Sequence, residues 1–133
     1  MDSHPLVLVV DDDRDIRQSL KIILENNGYR VEAAADGKQA MKLLDTITPN
    51  IIILDVMMTT DTEGFDLAHD LRARPGCEET PIIMLTSFLD KVRDEGPDQY
   101  QHIMGQQWPA KWIFEKPIEP ERLLAKLKAI LED

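Results

Sequence analysis

Aliphatic runs in this chain end in groups that can do chemistry. Leu6-Val7-Leu8-Val9-Val10 runs into Asp11-Asp12-Asp13, and Asn50-Ile51-Ile52-Ile53-Leu54 runs into Asp55. Pro81-Ile82-Ile83-Met84-Leu85 leads to Thr86-Ser87, and Trp112-Ile113-Phe114-Glu115 leads to Lys116-Pro117. Clustered carboxylates repel one another and tend to hold protons unless a cation sits among them. An incomplete, all-oxygen cage suits Mg²⁺, which keeps several of its waters. With such a metal and the Lys116 ammonium close by, a phosphoryl group can be accepted. The Asp55 carboxylate would then attack phosphorus to give an aspartyl phosphate, with Mg²⁺, Lys116 and the Thr86 hydroxyl available to balance charge on the transferring oxygens.

These groups meet only if the runs are strands of one parallel sheet. Four consecutive aliphatic residues, Ile51 to Leu54, three of them β-branched, suit a strand buried on both faces. In open α/β sheets ligands bind beyond the carboxyl ends of the strands, so parallel strands bring Asp11, Asp12, Asp55, Thr86 and Lys116 to one edge. Taken alone, Asp55 reads as a strand-end acid capping a turn, Lys116 as a solvated lysine and Thr86 as a common strand terminator. Asp11 to Asp13 likewise read as acids favoured at a helix N-terminus. It is their ordered recurrence at strand ends that favours a site.

Between the strands the periodicity becomes helical. Ile16, Leu20, Ile23 and Leu24 define a first helix stopped at Gly28, and Tyr29 to Ala34 alternates as an exposed or half-covered strand does. Asp36 resembles an N-cap before Ala40, Leu43, Leu44 and Ile47, a helix expected to end at Pro49. Phe65, Leu67, Ala68 and Leu71 support a third helix ended by Pro75-Gly76. Pro120 suits the first position of a closing helix carrying Leu123, Leu124, Leu127, Ile130 and Leu131. Phe88 to Met104 has apolar residues at helical spacing, but Gly96-Pro97 interrupts them, and a broken element is expected there. Alternating strands and helices give (βα)₅ with helices on both faces of the sheet.

The 133 residues are expected to form a single domain, residues 1–133 with a core from about 6 to 131. Fifteen basic against twenty-five acidic residues give a net charge of −10, which opposes direct binding to nucleic acid. Apolar runs of about five residues cannot span a membrane, and Met1 to Pro5 lacks the regions of a signal peptide, so a cytoplasmic protein is expected. The single cysteine, Cys77, excludes an internal disulfide and reads as a surface thiol in a turn. His4, His69 and His102 show no ligand spacing, and Trp108 and Trp112 read as packing residues.

Asp11-Asp12, Asp55, Thr86 and Lys116-Pro117, each following its strand in this order, resemble the receiver domain of two-component response regulators. The resemblance runs from about Leu6 to Leu131. It implies a doubly wound, five-stranded parallel sheet of order 2-1-3-4-5, flavodoxin-like. It also implies Asp55 as phosphoacceptor, Asp12 as direct Mg²⁺ ligand, Asp11 as a ligand through water or as an orienting group, and the Met57 backbone carbonyl in the metal shell. Thr86 and Lys116 become the groups that respond to the phosphoryl. Such a domain is a signalling module, not an enzyme acting on other substrates. Its donor would be a sensor histidine kinase or phosphotransfer protein, its output a downstream protein target, with phosphorylation-dependent dimerisation as one output mode.

Three features depart from the family pattern. The span from Asp55 to Gly64 is one residue longer than usual, with Thr59 in place of a proline. The span from Thr86 to Lys116 is several residues longer. Ile113 stands where the family has an aromatic switch residue; it has a stiff χ1 and no hydroxyl, so the switch is expected to be rerouted into residues 88–108. Met57 and Phe88, apolar flanks of the path of the hydrolytic water, are expected to lengthen the phosphoryl lifetime. Two other functions compete. A receiver fold can serve as a phosphorylation-independent interaction module, and an aspartyl-nucleophile phosphohydrolase would need a second Asp where Met57 stands.

Overall fold

A computed structural model of the chain describes residues 4–55, 63–86, 112–115 and 119–132, with the backbone alone at 63–66, 86, 113 and 115. The strands are β1 (Leu6–Val10), β2 (Arg30–Ala34), β3 (Ile51–Asp55), β4 (Ile82–Thr86) and β5 (Trp112–Glu115). All pair in parallel in one sheet of order β2-β1-β3-β4-β5. Four helices lie among the described residues: α1 (Arg14–Glu25), α2 (Gly37–Leu43), α3 (Glu63–Ala73) and α4 (Pro120–Glu132). The interrupted element expected over Phe88 to Met104, the residues Met57 and Thr59, and the pair Lys116-Pro117 lie outside the described residues.

The central strands are apolar at consecutive positions because both faces of the sheet are covered. Leu8, Val10, Ile52, Leu54, Ile82 and Met84 pack with Ala40, Leu67, Ala68 and Leu71 of α2 and α3. Val7, Val9, Ile51, Ile53, Ile83 and Leu85 pack on the other face with Leu20 and Leu24 of α1 and Leu123 and Leu127 of α4. Each fully buried Ile or Leu contributes about 1.5–3 kcal/mol over an exposed one, so β1, β3 and β4 anchor the fold. β2 is an edge strand and correspondingly mixed, with Val31 and Ala34 buried and Arg30, Glu32 and Ala33 exposed. Trp112 and Phe114 of β5 pack against the α1 and α4 layer, in keeping with a packing role for Trp112.

The ends of the helices follow local chemistry. Asp13 caps α1, its carboxylate accepting from the amides of Asp15 at 2.9 Å and Ile16 at 3.4 Å, and Gly28 turns the chain toward β2 with φ of 90°. Asp36 caps α2 through the Gln39 amide at 2.8 Å. That helix stops at Leu43, before the expected Pro49. The Thr46 hydroxyl donates to the Leu43 carbonyl at 3.1 Å, and the Asp45 and Thr46 amides make tight i to i−3 bonds to Lys42 and Leu43. α4 begins at Pro120, as its sequence requires.

Cys77 corrects the sequence reading. It is 6% exposed and belongs to the α2 and α3 core. The cause is Arg72, whose Nη1 donates to the carbonyls of Cys77 at 3.2 Å, Glu78 at 3.3 Å and Thr80 at 2.6 Å. One guanidinium thereby draws the α3 to β4 connection back under the helix and turns the thiol inward.

Candidate functional site

Parallel register is what assembles the site. Val10 of β1 lies opposite Leu54 of β3, so Asp11 and Asp55, the next residues, leave their strands side by side. Both follow a position packed on the α2 and α3 face, and period-two alternation assigns them to the face of Val9 and Ile53, the side of α1. They are the two buried acidic residues among the described ones, Asp11 at 0% and Asp55 at 2% exposure. Asp12, one residue on, is exposed at the lip. One carboxylate oxygen from each of Asp11, Asp12 and Asp55 lies within 4.8 Å of the others.

Several hydrogen bonds hold the loop that carries two of these acids. The Asp11 amide donates to the Ala34 carbonyl at 3.1 Å, prolonging the pairing of β1 with β2. Asp11 Oδ1 accepts from the Asp13 amide at 2.9 Å, while Oδ2 is sealed from solvent. Asp13 is engaged as the cap of α1. Arg17, one turn into α1, donates from Nη1 to the Asp11 carbonyl at 2.8 Å. Sequence reasoning did not single out Arg17. Its only signal is a long cationic side chain within reach of the loop from the second turn of a helix whose cap is already known.

Three converging carboxylates, two of them buried, carry a repulsion that a cation relieves. The donors are hard oxygens and too few for a closed all-protein cage, which suits an ion of the Mg²⁺, Ca²⁺ or Mn²⁺ kind that keeps open positions. The residues present therefore fit a divalent metal. Further along the edge, Asp55 lies opposite Leu85, and Thr86 opposite Glu115. The backbone thus brings Thr86 to the same edge, with Glu115 ending β5 one residue before Lys116. The side chains of Thr86 and Lys116, and Met57, lie outside the described residues.

The comparisons with known proteins agree with this geometry. A family profile for the response regulator receiver domain matches residues 7–128. Response regulator MprA of Mycolicibacterium vanbaalenii is 37% identical over 130 residues, covering 94% of this chain and 49% of the relative. Protein PetR of Rhodobacter capsulatus is 39% identical over 129 residues, covering 97% of this chain and 49% of the relative. The chain spans about half the length of the curated relatives it matches. Among solved structures, the chemotaxis response regulator CheY4 of Vibrio cholerae superposes with a TM-score of 0.76 at 32% identity, over 97% of this chain and 100% of that one. The receiver domain of a signal transduction histidine kinase from Syntrophus aciditrophicus gives 0.77 at 27% identity, over 96% and 90%. A matching profile over most of the chain, joined to three acids gathered where parallel strands end, makes this chain a member of the response regulator receiver domain family of two-component systems.

Proposed function

We propose that this receiver takes a phosphoryl group onto Asp55 from the phosphohistidine of a partner kinase or phosphotransfer protein. The observation that carries the reading is the approach of Asp11, Asp12 and Asp55 within 4.8 Å at the carboxyl edge of the sheet. An Asp55 carboxylate oxygen attacks phosphorus, the bond from phosphorus to the histidine nitrogen breaks, and a mixed anhydride forms on Asp55. Asp11, Asp12 and Asp55, with the Met57 carbonyl, would hold Mg²⁺, which when bound offsets negative charge on the transferring oxygens. Asp11, buried and bonded on three sides by its neighbours, keeps its carboxylate fixed while Asp12 adapts at the lip. Lys116 would pair with the arriving phosphoryl, and the Thr86 hydroxyl would follow it as the responding group.

The complete unit is then (βα)₅, running from about Leu6 to Leu131, with the remaining crossover between Thr86 and Trp112. A parallel pair such as β4 and β5 requires such a crossover, commonly a helix. Output passes to a downstream protein through a surface altered by phosphorylation, with residues 88–108 as the region that changes. Incubation with a small acyl phosphate and Mg²⁺, followed by intact mass, tests the chemistry. One added phosphoryl is expected in the native chain and none in Asp55→Asn. No addition to the native chain would favour the phosphorylation-independent interaction module.

A further inference from the structure

We infer that Arg17 is a positioning residue for the metal-binding loop, acting through the backbone of Asp11; this rests on the metal site proposed above. Only Asp11 to Asp13 separate the end of β1 from the start of α1, and two of these three residues supply oxygens to the cluster. Asp11 is 0% exposed, so its carbonyl is out of reach of bulk water. The partner it has from α1 is the Arg17 guanidinium at 2.8 Å. A charged donor on a carbonyl makes one of the stronger hydrogen bonds, and this one ties the second turn of the helix to the last peptide before Asp12. The Arg17 amide, donating to the Asp13 carbonyl at 3.1 Å, ties the same residue to the other end of the loop. Arg17 therefore spans the loop, and the position of Asp12 relative to Asp11 is set between its two attachments.

The Arg17 guanidinium donates to the backbone carbonyl of Asp11. That separates two roles of opposite sign. As a positioning group, Arg17 holds the carboxylates together and its loss weakens cation binding. As a mere positive charge beside the site it would repel a cation, and its loss would strengthen binding. Outer-shell partners of metal ligands typically change affinity about 10-fold to 100-fold when removed. Arg17 acts on the ligand's backbone and not on its carboxylate, so a weakening of about threefold to tenfold is expected.

The test is a Mg²⁺ titration of the full chain followed by amide shifts in NMR spectra, on the native protein, Arg17→Met and Arg17→Lys, all at a temperature where denaturation curves show each fully folded. Arg17→Met should bind Mg²⁺ about threefold to tenfold more weakly, with the Asp12 and Asp13 amides shifted before any metal is added. Arg17→Lys, which keeps a donor and the charge, should recover at least half of the lost affinity. If Arg17→Met lowers the denaturation midpoint and leaves Mg²⁺ affinity unchanged, the role is purely structural and the inference is overturned. Tighter binding by Arg17→Met would overturn it in favour of simple repulsion. Absence of Mg²⁺ binding by the native protein would instead overturn the metal site itself.

Discussion

The two edges of the sheet are built on opposite principles. At the amino edge, hydrogen bonds from backbone amides and from charged side chains with a matching acceptor tie the described connections together. Asn50 pairs twice with Leu6, its amide donating to the Leu6 carbonyl and its Oδ1 accepting from the Leu6 amide, both at 2.8 Å. The Arg30 amide reaches the Pro5 carbonyl at 2.9 Å, and the Ile52 amide reaches that of Pro81 at 2.9 Å. Arg72 gathers three carbonyls there, and its own pKa is lowered by burial, with the nearby Cys77 pulling the other way. At the carboxyl edge, three like charges are brought within 4.8 Å. One edge ties its described polar groups to one another; the other gathers like charges whose repulsion a bound cation would offset. Stability and function are thus assigned to opposite ends of the same strands, and substitutions at the two ends should have separable effects.

The largest expected effect on folding is at the amino edge. Arg72→Met removes a donor from three carbonyls, and leaving such acceptors poorly satisfied should lower stability by about 2–3 kcal/mol while leaving Mg²⁺ affinity unchanged. Urea denaturation beside a metal titration reads both. A variant as stable as the native chain would show that Arg72 holds nothing in place.

At the other edge the order reverses. Asp12→Ala should lower Mg²⁺ affinity by more than about tenfold, since the site loses a charged oxygen ligand and few others are present, with little change in metal-free stability. Equal affinities for Mg²⁺ would remove Asp12 from the proposed ligand set.

Asp55→Asn sharpens the contrast further. Removing one buried charge beside Asp11 should stabilise the metal-free protein by about 1 kcal/mol through relief of like-charge repulsion, although it abolishes phosphoryl acceptance. A destabilised Asp55→Asn variant in metal-free buffer would show that like-charge repulsion at this edge is outweighed by the contacts of Asp55.

The smallest expected effect lies at Tyr29, at the amino end of β2. Burial first, and the charge of Glu132 second, raise its pKa above the ordinary 10.0. The folded state therefore favours the neutral phenol. The resulting stability is fully present below the unfolded-state pKa and is lost as pH rises through the folded-state value. Denaturation series between neutral and strongly alkaline pH should fall less steeply above pH 10.0 for Tyr29→Phe than for the native chain. Parallel curves would exclude Tyr29 as a source of alkaline sensitivity.

Much of this was readable from residue order because the informative elements are local. A run such as Ile51 to Leu54 has no other comfortable place than a sheet covered on both faces, and Asp55 at its end inherits its location from the strand. Asp36 and Pro120 mark helix starts by chemistry that needs no tertiary partner. What escaped depends on contacts between distant groups or on competing local bonds. Apolar periodicity carried α2 on to Ile47, but the Thr46 hydroxyl and tight amide bonds ended it at Leu43. Turn-rich composition placed Cys77 on the surface, and Arg72 put it inside. Single arginines have no period, so neither Arg17 nor Arg72 could be assigned a partner from spacing alone.

The triplet Asp11-Asp12-Asp13 shows how one letter repeated three times can drift under three unrelated constraints. At 13 any short side chain with an oxygen acceptor can cap the helix, so exchange to Ser, Asn or Thr should pass nearly unnoticed in a population of variants. At 12, on the proposed reading, charge matters more than shape, and the exposed lip leaves room for the longer Glu. At 11 the residue is enclosed, with its amide, carbonyl and Oδ1 all engaged, so even one added methylene meets resistance. Three identical letters in a row therefore answer to three different tolerances: a cap at 13, a charge at 12 and an enclosed shape at 11.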